Sequence, residues 1–361
     1  MEFGDSHRRT HTSGLFAREE VQLANRNSGT PLEALRHDVT PAGMHYLLNH
    51  FDVPYVPDAA GWSVAIGGEV ERPFQLSLDE IRNAPAVTRH VTMECAGNGR
   101  ANYEPRWPSQ PWAEGAVATA EWTGTQLRPL IERAGLKLSA RNIVFSGIDR
   151  GFDKVEHAYE RSLARDMAMT GEVLLVYAMN GQPLLPQHGY PLRLIVPGWY
   201  GMASVKWLAS ITAIDRAFDG HQQTGTYIYR ARRDETGVPV TTMRVKSLMV
   251  PPGIPDWYTR TRVVEAGPVV VHGRAWSGGG TPIARVEFAC DGVWQEAELE
   301  PPPASPYAWR GWRVEWQATP GDHVLQCRAT DAAGNIQPDV ASWDVGGFGN
   351  NGLQSVEVKV R

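Results

Sequence analysis

The stretch VTMECAGNGR, residues 91–100, runs from alternating apolar positions into a glycine-rich turn and sets a single cysteine at the change. Cys95 therefore ends a strand and enters a loop whose glycines let the backbone turn sharply and approach a ligand closely. The chain has only two other cysteines, Cys290 and Cys327, and no C-x-x-C pair. A disulfide framework, a cysteine-rich zinc or iron–sulfur site and a dithiol redox motif are excluded by that count and spacing. Local pattern leaves three readings of Cys95: a buried small apolar residue, a nucleophile, or a metal ligand. A nucleophile needs a histidine base, for which His188 in QHGYP is the candidate. A lone thiolate as ligand needs other soft donors to arrive with a cofactor.

Around this stretch the chain divides in two. From about residue 40 to 240, strand-like runs (WSVAIGG, RHVTMEC, RNIVFSGI, EVLLVYAM, PLRLIVPG, WLASITAI) alternate with helical segments such as LSLDEIRNA and TQLRPLIERAGL, which predicts an α+β domain. Ser77 and Glu80 stand at capping-box spacing and mark a helix start. From 241 to 361, short alternating segments separated by Pro, Gly and Asp turns predict an immunoglobulin-like β-sandwich. Four of its tryptophans (Trp294, Trp309, Trp312, Trp316) suit a sandwich core or an interface. Cys290 and Cys327 lie in alternating strand patterns there. An inter-sheet disulfide is conceivable, but buried free thiols are the expectation. Residues 1–39, polar and broken by NRNSGTP at 25–31, read as an arm rather than a packed element.

At 361 residues the chain is long enough for two cores. A formal charge of −5 offers nothing to a polyanion, so nucleic acid is not expected as a partner. No apolar run reaches the length of a membrane span. Arg8-Arg9 is not followed by an apolar run, so no export signal is read. The expectation is a cytoplasmic protein, or a periplasmic one if a leader has been removed.

Two further regions carry chemistry. HGYPLRLIVPGWYGMASVKWL, 188–208, interleaves His188, Arg193, Ser204 and Lys206 with glycines around an apolar strand, a set able to gather around an anionic phosphate tail. Solvated charges flanking a strand explain Arg193 and Lys206 separately. HYLLNHFDVPYV places Asn49 and His50 before an extended segment, and alone it is a weak signal.

Together these regions resemble the sulfite oxidase family of molybdenum enzymes. The resemblance spans roughly residues 30–360 and rests on MECAGNGR (93–100), GGEVERPFQLSLDEIR (67–82), VLLVYAMNGQPL (173–184) with HGYPLRLIVPGWYGMASVKWL, GRAWSGGG (273–280) and ATDAAGNIQP (329–338). It implies a core domain holding molybdenum on a pyranopterin dithiolene (molybdopterin) and a C-terminal domain used for homodimerisation. By motif, Cys95 is implied as the protein thiolate on molybdenum. Asn49, His50, Asp149, His188, Arg193, Ser204 and Lys206 are implied as cofactor contacts. Arg100 and Tyr227 are implied to orient substrate.

Members acting on sulfite carry an arginine before the Asn-His pair, one after the cysteine loop and one near the C-terminus. Here those positions hold Leu48, Arg100 and Gly346. Arg106 and Arg230 are the candidates to replace the missing charges. The residues before 40 are too few for a cytochrome b5-like domain, so no haem is expected in this chain. An external acceptor, whether cytochrome, quinone or oxygen, is expected instead. The resemblance implies two-electron oxygen-atom transfer, sulfite oxidation first and reduction of a small S- or N-oxide second. From other classes, a cysteine hydrolase using Cys95 and His188 and a non-catalytic interaction protein remain.

Overall fold

The computed structural model describes residues 17–153 and 155–361, so the Arg8-Arg9 segment lies outside the described residues. The first domain is built on two sheets. One runs Phe74–Ser77, Ser63–Gly68, Leu208–Ile214, Asn142–Asp153, Val155–Ala164, with its second and third strands parallel and the other pairs antiparallel. The other is antiparallel: Ala86–Glu94, Val117–Gln126 and Leu174–Met179, with Gln182–Pro183 and Arg193–Ile195 both paired to the third. Each strand-like run read from the sequence forms a strand. Val117–Gln126 and Val155–Ala164 come in addition, and the latter, VEHAYERSLA, carries too many charges to stand out as a strand.

Helix Leu78–Asn83 starts where its cap predicts. The Ser77 hydroxyl accepts the Glu80 N–H at 3.2 Å, and the Glu80 carboxylate accepts the Ser77 N–H at 3.0 Å. Helix Leu127–Ala134 buries Leu127, Leu130, Ile131 and Ala134, the i, i+3, i+4, i+7 stripe of one face.

The C-terminal domain is a β-sandwich. One sheet orders Lys246–Met249, Gly267–Trp276, Arg310–Ala318 and Glu298–Leu299. The facing sheet orders Ile254–Pro255, Arg262–Val264, Gln354–Val360, Gly321–Asp331, Ile283–Cys290 and Val293–Glu296. Val271, Val286, Phe288, Trp312, Trp316, Leu325 and Cys327 meet between them. Complete burial of a side chain such as Phe288 stabilises by about 1.5–3 kcal/mol. Cys290 and Cys327 are free, and they sit on neighbouring strands of one sheet, with Cys327 opposite Phe288, so the inter-sheet bridge does not arise. Cys290 is only partly buried, against expectation, because it ends its strand at a hairpin turn.

Trp309 leaves the sandwich and joins the two domains. Its N–H donates to Thr92 Oγ1 at 2.7 Å and its indole N–H to the Asp38 carbonyl at 2.8 Å. Residues 17–39 are packed rather than free. Helix Arg18–Arg26 buries Glu20 in an ion pair with Arg106, and Asn27 donates to Gln110 Oε1 at 3.0 Å while its Oδ1 accepts the Asn49 N–H at 2.8 Å. Composition alone makes this segment a loop. Its polar side chains pack because they satisfy buried partners supplied by distant chain.

Candidate functional site

The cysteine loop is held from both domains. Glu94 is buried and accepts the Asn98 amide at 3.0 Å and the Trp276 indole N–H of the sandwich at 3.0 Å. Beyond it, Gly349 N–H donates to the Ala96 carbonyl at 2.7 Å, and Asn350 donates to the Gly99 carbonyl at 2.9 Å. A Cβ on Gly97 would lie 2.6 Å from the Arg100 guanidinium, so a larger residue there would push that side chain away from the loop.

Cys95 ends up between two cavities. The inner one spans about 630 Å³, open space included, and is lined among others by His45, Asp149, His188, Arg193, Ser204 and Lys206. The outer one encloses about 1790 Å³, open space included, and is lined by Arg26, Arg100, Arg230 and Arg233 together with Trp107 and Phe348. Cys95, Leu48, His50 and Tyr227 line both.

In the inner cavity, Arg193 donates to the carbonyls of His188 at 2.9 Å and Ser204 at 3.2 Å. The Ser204 hydroxyl accepts the Val196 N–H at 3.1 Å. Lys206 donates to the carbonyls of Leu48 at 3.0 Å and Gln187 at 2.9 Å and to the Asn49 amide oxygen. Both cations thus spend these bonds on neutral oxygens. Burial holds Arg193 down to about 10 and pulls Lys206 well below its usual value. A buried cation in that state favours an anionic ligand.

Three buried polar atoms on the same wall have no protein partner: Asp149 Oδ1, His45 Nε2 and Arg193 Nε. Burial raises the Asp149 carboxyl to about 6, against the pull of Lys206. Burial also holds the histidines neutral, His45 to about 4, His50 to about 3 and His188 to about 2, helped for His50 by Lys206, Arg161, Arg26 and Arg100. The cavity therefore offers an acceptor, a neutral imidazole nitrogen and the N–H of one buried cation, Arg193, with a second, Lys206, beside them. That donor set fits a large polar heterocycle with an anionic tail, as molybdopterin is.

At the junction, burial and the nearby Glu94 push the Cys95 thiol up, while Arg100 and the Gly97 N–H pull it back. A metal ion supplies the charge such a thiolate lacks, since a coordinating thiol is deprotonated outright. Tyr227 donates to His50 Nε2 at 2.6 Å, with its phenol held protonated by burial. Arg100 donates to the carbonyls of Gly346 at 3.0 Å and Gln110 at 3.2 Å. A Cβ at Gly346 would lie 2.6 Å from the Phe348 ring, so a side chain at that position requires the ring to shift.

The structure thus brings together all the sequence-predicted residues: Asn49, His50, Cys95, Arg100, Asp149, His188, Arg193, Ser204, Lys206 and Tyr227. Arg106 is the exception among the replacement cations, because its charge is spent on Glu20 in a buried pair. Arg230 does line the outer cavity, and its neighbours Arg26 and Arg233 had no sequence signal. Tyr159, stacked on His50 with ring centroids 4.7 Å apart, and Arg161, 5.4 Å from the Tyr227 ring centre, were also missed. Both lie on Val155–Ala164, so reading its alternation as a strand is the signal that finds them. The hydrolase pair does not form: among the described residues no hydrogen bond joins Cys95 to His188, whose ring packs edge-on to His45 at 5.3 Å.

Comparison with known proteins gives the same frame. Residues 50–222 match an oxidoreductase molybdopterin binding domain, and residues 238–361 a Mo-co oxidoreductase dimerisation domain. Human mitochondrial sulfite oxidase is 34% identical over 360 residues, covering 92% of this chain and 64% of that protein. A barley nitrate reductase is 31% identical over 366 residues, covering 92% of this chain and 41% of that protein. The chain thus spans less than two thirds of the length of these relatives. The sulfane dehydrogenase SoxCD of Paracoccus pantotrophus superposes with a TM-score of 0.80 at 26% identity, covering 99% of this chain and 93% of that one. On these matches and this geometry, the chain belongs to the sulfite oxidase family of molybdopterin-dependent oxidoreductases.

Proposed function

We propose that this protein oxidises a small sulfur oxyanion, sulfite foremost, to its two-electron product, passing the electrons to an external acceptor. The observation that carries the reading is the position of Cys95, where an inner cavity lined by Asp149, Arg193 and Lys206 meets an arginine-lined outer cavity.

Cys95 would hold the molybdenum, and His50, Asp149, His188, Arg193, Ser204 and Lys206 the pterin. When bound, that group supplies the two-electron couple and the exchange of an oxygen atom with water. The remaining work falls to the chain. Arg26, Arg100, Arg230 and Arg233 draw an anion into the outer cavity, and Arg100, buried beside Cys95, orients it with charge-assisted hydrogen bonds. His50, held neutral, accepts a hydrogen bond from the Tyr227 hydroxyl, and both side chains line the junction of the two cavities. Leu48 adds an apolar side chain to the lining of both cavities.

The C-terminal match supports a homodimer assembled through the sandwich. None of the described helices is long and apolar enough to cross a membrane.

Protein produced in a molybdopterin-competent host is expected to hold about one molybdenum per chain, on the one-thiolate, one-site argument. Offered sulfite with an artificial one-electron acceptor, it should turn over. If sulfite is inert while a reduced-dye assay shows S- or N-oxide reduction, the direction and substrate proposed here are wrong. If no molybdenum is found, the whole reading fails.

A further inference from the structure

Far along the chain from Cys95, the second thiol of the sandwich meets two other metal-ligating groups. Cys290 Sγ, Asp291 Oδ2 and His323 Nδ1 all lie within 4.8 Å of one another. Sulfur to imidazole nitrogen is 3.6 Å, sulfur to carboxylate oxygen 3.7 Å, and nitrogen to oxygen 2.7 Å. Ligands on one tetrahedral Zn²⁺ stand about 3.6 Å (S to N), about 3.5 Å (S to O) and about 3.3 Å (N to O) apart, from the usual bond lengths. Two of the three separations already match, and the third needs to open by about 0.6 Å on that same geometry.

The grouping is set by the fold. Strand Ile283–Cys290 turns into Val293–Glu296 through Asp291 and Gly292, both left-handed, with φ of 49° and 78°. That is the type I′ turn an Asp-Gly pair favours, and it tips the Asp291 side chain over the neighbouring strand. His323 lies on that neighbour, Gly321–Asp331, and Asp291 N–H donates to the Val324 carbonyl at 2.9 Å.

What distinguishes this trio from a chance surface cluster is where its other atoms go. Asp291 Oδ1 accepts the Val324 N–H at 2.8 Å, which leaves Oδ2 facing the centre. His323 Nε2 donates to the Thr319 carbonyl at 2.8 Å and Nδ1 donates to Asp291 Oδ2 at 2.7 Å, so a cation that binds here takes the place of the Nδ1 proton. A ligating histidine held by a backbone carbonyl through its second nitrogen is the usual outer support of a zinc site. The Trp316 ring lies edge-on to His323 at 5.9 Å and limits rotation of the imidazole. His323 is 14% exposed and Asp291 50%, so a hydrated ion can reach the position.

The geometry points to a binding site for a borderline-soft divalent cation of the zinc class, held by Cys290, Asp291 and His323 with a fourth position open to water. The ion clips the hairpin tip to the adjacent strand. It lies outside the molybdopterin site and does not depend on the reaction proposed above.

Co²⁺ tests it, because thiolate ligation gives that ion a near-ultraviolet charge-transfer band and tetrahedral geometry gives visible bands. The molybdenum-loaded protein, with Cys95 engaged, is titrated with Co²⁺ and read as a difference spectrum. The expected result is a charge-transfer band that saturates at one Co²⁺ per chain and is removed by Zn²⁺. Cys290→Ser should abolish the band, and Asp291→Asn, which keeps the turn, should weaken binding at least about tenfold. Molybdenum content and turnover should be unaltered in both, which verifies that the variants fold. Absence of a saturable band, or a band surviving Cys290→Ser, overturns the assignment.

Discussion

Cys95 and Cys327 are both buried, 6% and 0% exposed, and burial pushes both thiols upward, Cys327 to about 12. They differ in what surrounds them. Cys327 faces the sandwich core, where Phe288 and Leu325 pack beside it and its polar contacts are the weak ones to Gln354 and Ser247. Cys95 opens onto two cavities, with Arg100 close enough to favour its thiolate. Burial of a thiol therefore says little about its role. Access and a neighbouring cation decide it.

The largest expected effect sets these two thiols against each other. Cys95→Ser should lose turnover entirely while keeping the fold, whereas Cys327→Ala should keep turnover and cost about 1 kcal/mol of stability. Steady-state kinetics and urea unfolding on the pair decide it, and loss of turnover in Cys327→Ala would break the contrast. Next, Arg100→Met removes a charge-assisted anion contact beside Cys95. A fall in kcat/KM for sulfite of about 100-fold is expected, from the 1.5–3 kcal/mol such bonds contribute.

A smaller effect concerns Asp149 in protein lacking the cofactor. Its carboxyl is raised from 3.8 to about 6, so the folded state binds the proton more tightly than the unfolded one. Stability is fully present below the unfolded value and is lost as pH rises through about 6, by roughly 3 kcal/mol at most. Asp149→Asn should flatten that loss, measured by denaturant unfolding at pH 4 and pH 7. A slope unchanged by the substitution would show that the carboxyl is not strained by burial. Smallest, Leu48→Arg adds a cation to a wall shared by both cavities and should lower the KM for sulfite roughly three- to tenfold. An unchanged or raised KM would place sulfite elsewhere.

The outer cavity shows most clearly where sequence reading ran out. Leu48 and Gly346 look like lost positive charge when only motif positions are compared. In the folded chain Arg26, Arg230 and Arg233 line the same space, and Arg26 comes from a segment that composition reads as an arm. Arg106 shows the reverse error. Its guanidinium, free by sequence position, is paired with Glu20 of that same segment. Neither outcome is visible along the chain, since separations of 86 residues between Glu20 and Arg106 and of 177 between His50 and Tyr227 leave no periodic trace.

By itself the sequence determined the two-domain α+β and sandwich organisation and the capping box at Ser77, because period and turn chemistry are local properties of a chain, and motif resemblance picked out ten residues that line the two cavities. The tertiary structure alone decided which charges are free. An arginine's role depends on whether a distant carboxylate or carbonyl reaches it first, and in a buried site that pairing outweighs the residue's own identity.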